Sequence, residues 1–222
     1  MSALVQPGSS PRTTVHRSPK RSIPDREVLN AILDAGLVAH VAVVDDAGQP
    51  YVMPVAYARD GDSVIFHGST ASRLFRQLAE GRPTCLTVTL LDGVVFARSA
   101  FNSSMNYRSV VVLGVAQRLE GDEELDALRR IADHLTPGRW EVARQPNAKE
   151  RAATLTLRLS LAECSVKVRT GGPNDDAEDV ADPVFGSIWA GHLPMTEVFG
   201  AAIGDQYSAE REVPESVRAW RR

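Results

Sequence analysis

The chain has 222 residues, 43% of them hydrophobic and 24% charged, and a formal charge of −3. This is globular composition with room for one good core and appendages, and the near-neutral balance argues against an electrostatically driven binder of nucleic acid or acidic membrane. No apolar run approaches the roughly 18 residues of a membrane span. The two cysteines, Cys85 and Cys164, sit in apolar runs at no metal or redox spacing. Two buried thiols and no signal-peptide core lead to the expectation of a cytoplasmic protein.

Residues 1–22 are rich in Ser, Pro, Arg and Lys without apolar periodicity, and are expected to form a mobile basic tail. A first helix is predicted from the cap Asp25 to Gly36, with Val28, Leu29, Ile32 and Leu33 buried and Gly36 in the left-handed position. Strands are predicted at 38–44, 51–59 and 63–67, joined by turns at 46–48 and 60–61. A helix over 69–79 follows, burying Leu74, Phe75 and Leu78. Further strands are predicted at 84–90 and 94–99, about a turn at Leu91-Asp92-Gly93, and at 109–119. The unbroken apolar run 110–113 points to burial on both faces, as in a barrel wall or an interface. A helix over 122–135 and strands at 154–160 and 162–169 complete the expected domain, residues 23–170. Residues 171–222 are expected to be an extension packing on the barrel or on a partner subunit. The short turns favour an antiparallel barrel, because parallel strands need crossovers of about a dozen residues or more.

Three stretches are candidates for chemistry. In Phe66-His67-Gly68-Ser69-Thr70-Ala71-Ser72-Arg73 a strand ends and a helix begins among hydroxyls and a guanidinium. The unpaired amides and positive dipole of a helix start attract phosphate. A serine that merely caps and a surface arginine would fit the same residues. Asn106-Tyr107-Arg108-Ser109 precedes the apolar run and offers hydrogen bonds and stacking to a planar heterocycle, or is an ordinary loop junction. Met53-Pro54-Val55 places a proline inside a strand, which marks a sheet edge or backbone facing something other than a strand.

Taken together, the run from Asp25 to Trp189 resembles the pyridoxamine 5'-phosphate oxidase-like flavin-binding proteins, in the branch that includes nitroimidazole-resistance proteins. The phrases that carry it are Phe66-His67-Gly68-Ser69 with Ser72-Arg73, and Ser104-Met105-Asn106-Tyr107-Arg108-Ser109-Val110. Lys167-Val168-Arg169-Thr170-Gly171 and Trp189-Ala190-Gly191 add to it. The resemblance implies an α+β, mainly β, split barrel whose homodimer encloses FMN between subunits. It implies that Met53, Pro54 and Val55 lie along the flavin ring edge. Phe66 ends the strand leading to the phosphate cradle, formed by His67, Gly68, Ser69, Ser72 and Arg73. Tyr107, Arg108 and Ser109 would support the ring, and Trp189 would reach it from the partner. Relatives often carry a histidine pair where this chain has Asn102 and Ser103, which removes any chemistry those histidines perform.

The function expected on this basis is an FMN-dependent oxidoreductase acting on a small aromatic or nitro-aromatic substrate. The alternatives are a non-catalytic flavin carrier or sensor, or a relative binding deazaflavin or haem. His67 is the candidate proton donor, with a structural role at the strand end as its rival. No metal-ligand spacing is present among the histidines.

Overall fold

The structure, a computed structural model, describes residues 6–208 and 210–220. In chain order it contains α1 (Arg26–Ala35), β1 (Val38–Val44), β2 (Pro50–Asp60), β3 (Ser63–Ser69), α2 (Arg73–Ala79), β4 (Pro83–Phe96), β5 (Ser104–Val115) and β6 (Gln117–Arg118). There follow α3 (Gly121–Leu135), α4 (Arg139–Val142), α5 (Ala148–Ala152), β7 (Thr154–Ser160), β8 (Cys164–Arg169), α6 (Ala177–Ala181), β9 (Gly191–Pro194) and α7 (Glu215–Arg218). The strands form one antiparallel sheet in the order β6-β7-β3-β2-β1-β4-β5-β8, with β9 added beside the end of β4. The sheet curls strongly, so that β5 and β7 meet across the interior: a Cβ on Gly114 would stand 3.0 Å from Leu159. This is the expected α+β split barrel.

The inward side chains follow the period of two that strands impose. Ala39, Val41 and Val43 of β1 join Leu86 and Val88 of β4, Val110 and Val112 of β5, and Leu157 and Leu159 of β7 in the core. Helix α1 plugs one end with Leu29, Ile32 and Leu33. Asp25 caps it, accepting from the Glu27 and Val28 amides at 2.7 and 3.2 Å. Each fully buried Leu or Val contributes about 1.5–3 kcal/mol of transfer free energy. A second, smaller cluster lies on the opposite face, where α3 packs Ala127 and Ile131 onto Ala58 and Ile65.

Several elements differ from expectation for tertiary reasons. Gly36 is not left-handed (φ −74°); it is small because a Cβ would stand 2.6 Å from the Tyr57 hydroxyl and from Val88. Leu91-Asp92-Gly93 is a bulge inside one continuous β4, not a turn between two strands. At Gly93 the backbone of β9 passes so close that a Cβ would be 2.6 Å from the Leu193 carbonyl oxygen. Helix α2 begins at Arg73, because β3 continues to Ser69 in register with Thr154. The run 110–113 alternates: Val110 and Val112 are buried, whereas Val111 and Leu113 are half-buried on the outer face.

Residues 6–22, expected as a tail free of the domain, lie against it; residues 1–5 are outside the described residues. The Gly8 amide donates to the Cys164 carbonyl at 2.7 Å, Thr13 is buried, and Ser22 bridges Lys167 of β8. In the C-terminal extension, β9 pairs with β4 and the Trp220 indole donates to the Leu135 carbonyl at 3.2 Å. No helix among the described residues is long and apolar enough to cross a membrane.

Candidate functional site

The predicted residues fall into three places. The first is the outer face of β2, β1, β4, β5 and β8, where cross-strand partners form rows. His40, Thr87, Val111 and Ser165 form one row; Thr89, Ser109 and Lys167 form the next. Leu91, Tyr107 and Arg169 form a third, and Pro54 stands opposite His40. Tyr107 and Ser109 therefore sit within strand β5, not at its mouth. Arg108 is already engaged, holding Asp92 through two nitrogens at 2.7 and 3.0 Å. That hydrogen bond to the carboxylate raises its pKa further. It is thereby tied to the β4 bulge and is not a free donor. Trp189 is exposed and meets Phe96 with ring centroids 6.0 Å apart.

The second place is the mouth between the β1–β2 hairpin and α2. Met53 is half exposed although it stands opposite the core residue Val41, because the curled sheet opens there. Val55 packs on the core. Arg73 lies over the Tyr51 ring, 4.5 Å from its centroid, and 3.8 Å from the Asp45 carboxylate. Ser69 does not begin a helix: its Oγ accepts from the Ala71 amide at 3.1 Å and its carbonyl from the Ser72 amide at 3.0 Å. Ser72 is the N-cap residue, and its side chain makes no capping bond. Because α2 begins only at Arg73, Ser69 and Arg73 do not share a helical face. What remains is a tight turn, a Ser72 hydroxyl that makes no capping bond and an exposed guanidinium over the Tyr51 ring. Phe66 is fully buried against Phe75 and offers only backbone. Gly68 is small for packing, since a Cβ would stand 2.2 Å from the Phe75 ring.

The third place holds His67, which points away from the core toward α3. It lines a cleft of about 430 Å³ with Leu128, Ile131, Leu135, Trp140, Arg144 and Glu150. Neither ring nitrogen has a hydrogen-bond partner among the described residues. His67 keeps an exposed side, and its partial burial in the cleft lowers its pKa below the usual imidazole value. A neutral, unpartnered imidazole in an apolar cleft can accept a proton or bind a metal centre. By contrast, His134 is committed, with Nε2 2.7 Å from the Gly36 carbonyl oxygen and its ring against Tyr57. Arg144 clamps Glu150 at 2.6 and 3.0 Å, and Glu150 also accepts from the Asn147 amide; together these hold its pKa down to about 2. Sequence reasoning did not single out Trp140, Arg144 or Glu150 as a wall for His67. Only the Asn147-to-Glu150 capping-box spacing was visible as a signal. Among the described residues no group of three metal-ligating side chains occurs.

Residues 25–168 match the pyridoxamine 5'-phosphate oxidase family. The flavocytochrome Anf3 from Azotobacter vinelandii is 42% identical over 98% of this chain and 99% of its own, with a TM-score of 0.88. A FAD- and haem-binding protein from Mycobacterium smegmatis is 39% identical over 90% of this chain and 96% of its own, with a TM-score of 0.84. A candidate 5-nitroimidazole antibiotic resistance protein from Bacteroides thetaiotaomicron shares the fold at 20% identity, covering 66% of this chain and 86% of its own, with a TM-score of 0.56. No curated protein matches the chain. The curled antiparallel sheet, the His-Gly-Ser strand end and the match across 25–168 lead to one assignment: the chain belongs to the pyridoxamine 5'-phosphate oxidase-like family.

Proposed function

We propose that the protein is a homodimeric flavin- and haem-binding electron carrier. The observation that carries this reading is the 42% identity over nearly the whole of both chains with a flavocytochrome, supported by 39% identity with a FAD- and haem-binding protein. The likeness favours the carrier alternative over a reductase of nitro-aromatic compounds, since the nitroimidazole-type relative supports the fold alone. It also favours FAD over FMN as the flavin.

The residues fit both groups. A flavin would lie where the open outer face meets the mouth at Met53, with Pro54, Tyr107 and Ser109 along the ring and Ser72 and Arg73 toward the phosphate end. A haem would take His67, whose imidazole is neutral, unpartnered and walled by Leu128, Ile131, Leu135 and Trp140. When bound, the two groups supply electron storage and transfer, which no side chain here provides. The chain's own part is to bind, to orient and to exclude water. Apolar side chains on the outer face, Val38, Val44 and Val52 among them, would be covered by a second copy.

An absorption spectrum of the purified protein, with chromatography of the released cofactors, tests the reading. Flavin and haem bands together, with FAD as the released flavin, are expected. A colourless protein that takes up neither group would overturn it. Light scattering should give about twice the 24.1 kDa chain mass.

A further inference from the structure

Positive charge gathers without matching acid where the N-terminal segment crosses β8. Arg169 is only 5% exposed. Its Nη1 donates to the Asn106 side-chain oxygen and the Gly171 carbonyl, and its Nη2 to the Gly172 carbonyl. Its Nε is buried with no partner at all. All these acceptors are neutral, and no Asp or Glu pairs with Arg169 among the described residues. A buried guanidinium in that state retains an uncompensated charge. Arginines nearby are treated differently: Arg26 pairs with Asp62, Arg98 with Asp175 and Arg108 with Asp92.

Two further cations share the corner. Lys167 lies two residues back on β8 and is bridged to Ser22. Burial lowers the Arg169 pKa, and Arg21, which precedes Ser22, is near enough for its charge to lower it further. Tyr107 stands opposite Arg169 across the β5–β8 ladder and brings a hydroxyl. The cover over the guanidinium is thin, because a Cβ on Gly171 or on Gly172 would meet nothing within 4 Å.

We propose that Arg169, with Arg21, Lys167 and Tyr107, binds the phosphate group of a small molecule. Three cations with no acid among them suit a multiply charged oxyanion, and the planar guanidinium fork matches phosphate oxygens. The phosphate has two possible sources: the flavin cofactor, which rests on the flavin reading above and would move its phosphate end from Arg73 to this corner, or a separate phosphorylated ligand, which does not.

Calorimetric titration of the flavin-free full-length protein with inorganic pyrophosphate tests the site. Saturable binding, weakened about ten- to a hundredfold in the Arg21→Ala/Lys167→Ala double variant, is expected for the loss of charge-assisted contacts. The double variant changes two side chains outside the core, and circular dichroism checks that it folds, whereas Arg169→Met risks the loop at Gly171. If FAD and FMN weaken in the double variant while riboflavin does not, the cofactor's phosphate occupies the site. If all three flavins bind the double variant unchanged, a separate phosphorylated ligand does. No pyrophosphate binding to the natural sequence, or equal binding by both proteins, overturns the proposal; a partner carboxylate neutralising Arg169 would give that result.

Discussion

The outer face of the sheet is apolar at both ends, yet the two ends are treated differently. Over β2 and β3, helix α3 covers Ala58 and Ile65 with Ala127 and Ile131, and these residues are buried. Over β1, β4 and β5 the outer face is less covered among the described residues: Val38 is exposed, Thr87 and Val111 are half-buried, and hydroxyls and His40 alternate with the aliphatic side chains. The covered end is closed by its own sequence, and the His67 cleft opens between the sheet and α3 there. The bare end is too apolar for a permanently wet surface and too polar for a core, the mixture typical of a surface that takes a ligand and a second subunit.

Substitutions separate the two ends most sharply. Ile65→Ala on the covered end should cost about 2–5 kcal/mol, measured by denaturant unfolding, since it empties a fully buried site between sheet and helix. Val111→Arg on the bare end should leave the monomer's stability within about 0.5 kcal/mol while converting the dimer proposed above to a 24.1 kDa species with weakened flavin binding. If Val111→Arg unfolds the chain, or the protein stays dimeric, the bare end is not the subunit interface.

His67 offers a second way to divide them. His67→Ala should abolish haem binding and leave flavin in place, read from the two sets of absorption bands. The pH response follows from the lowered pKa. Between that value and the ordinary imidazole pKa the folded protein keeps His67 neutral while an unfolded chain would protonate it. Any contribution of the neutral ring to stability is therefore full above the ordinary pKa and is lost as pH falls through the lowered one. Haem should accordingly stay bound to more acidic pH than a free imidazole ligand would allow. Release at or above the ordinary imidazole pKa would place the iron elsewhere.

Local signals in the sequence were reliable where local physics decides. Asp25 as a cap, the stripe of α1, the span of β1 and the span of β7 follow from residues within one or two turns of each other. Where a distant strand decides, they misled. Asp92-Gly93 carries turn chemistry, but β5 and β9 flank it and turn it into a bulge. Ser69 carries cap chemistry, but pairing with Thr154 keeps it in a strand. The same division holds for the candidate site. Family resemblance singles out Met53, Ser72, Tyr107 and Ser109, whereas packing decides that Arg108 is held by Asp92. The wall around His67 comes from residues some 60 to 80 positions later, and the missing counter-charge of Arg169 is a property of packing alone.

A smaller effect probes the strand end that leads to the mouth. Gly68→Ala drives a methyl into the Phe75 ring, 2.2 Å from its nearest atom. Phe75 is a core residue of α2 and has little room to yield, so overpacking of about 1–3 kcal/mol is expected by thermal or denaturant unfolding. Flavin affinity should fall with it, because α2 carries Arg73. A variant as stable as the natural protein would show that α2 shifts freely.

The finest discrimination belongs to Arg73→Ala. Its guanidinium is 62% exposed, stacked on Tyr51 and 3.8 Å from Asp45. An exposed cation–π contact is worth only about 0.5–1 kcal/mol, so unfolding should barely register the change. The ligand arm is more telling. The side chain stands at the first residue of α2, just after the turn at Ser69, where the flavin proposed above would bring its phosphate. Losing one charge-assisted contact there, worth about 1.5–3 kcal/mol, weakens a phosphate-bearing flavin by roughly ten- to a hundredfold. Riboflavin, which lacks the phosphate, should bind the variant and the natural protein alike. Fluorescence titration with FMN, FAD and riboflavin reads all three. Equal weakening of riboflavin and FMN would mean that Arg73 serves Tyr51 and the β1–β2 hairpin, and that the phosphate is held by other groups at the mouth or beyond it.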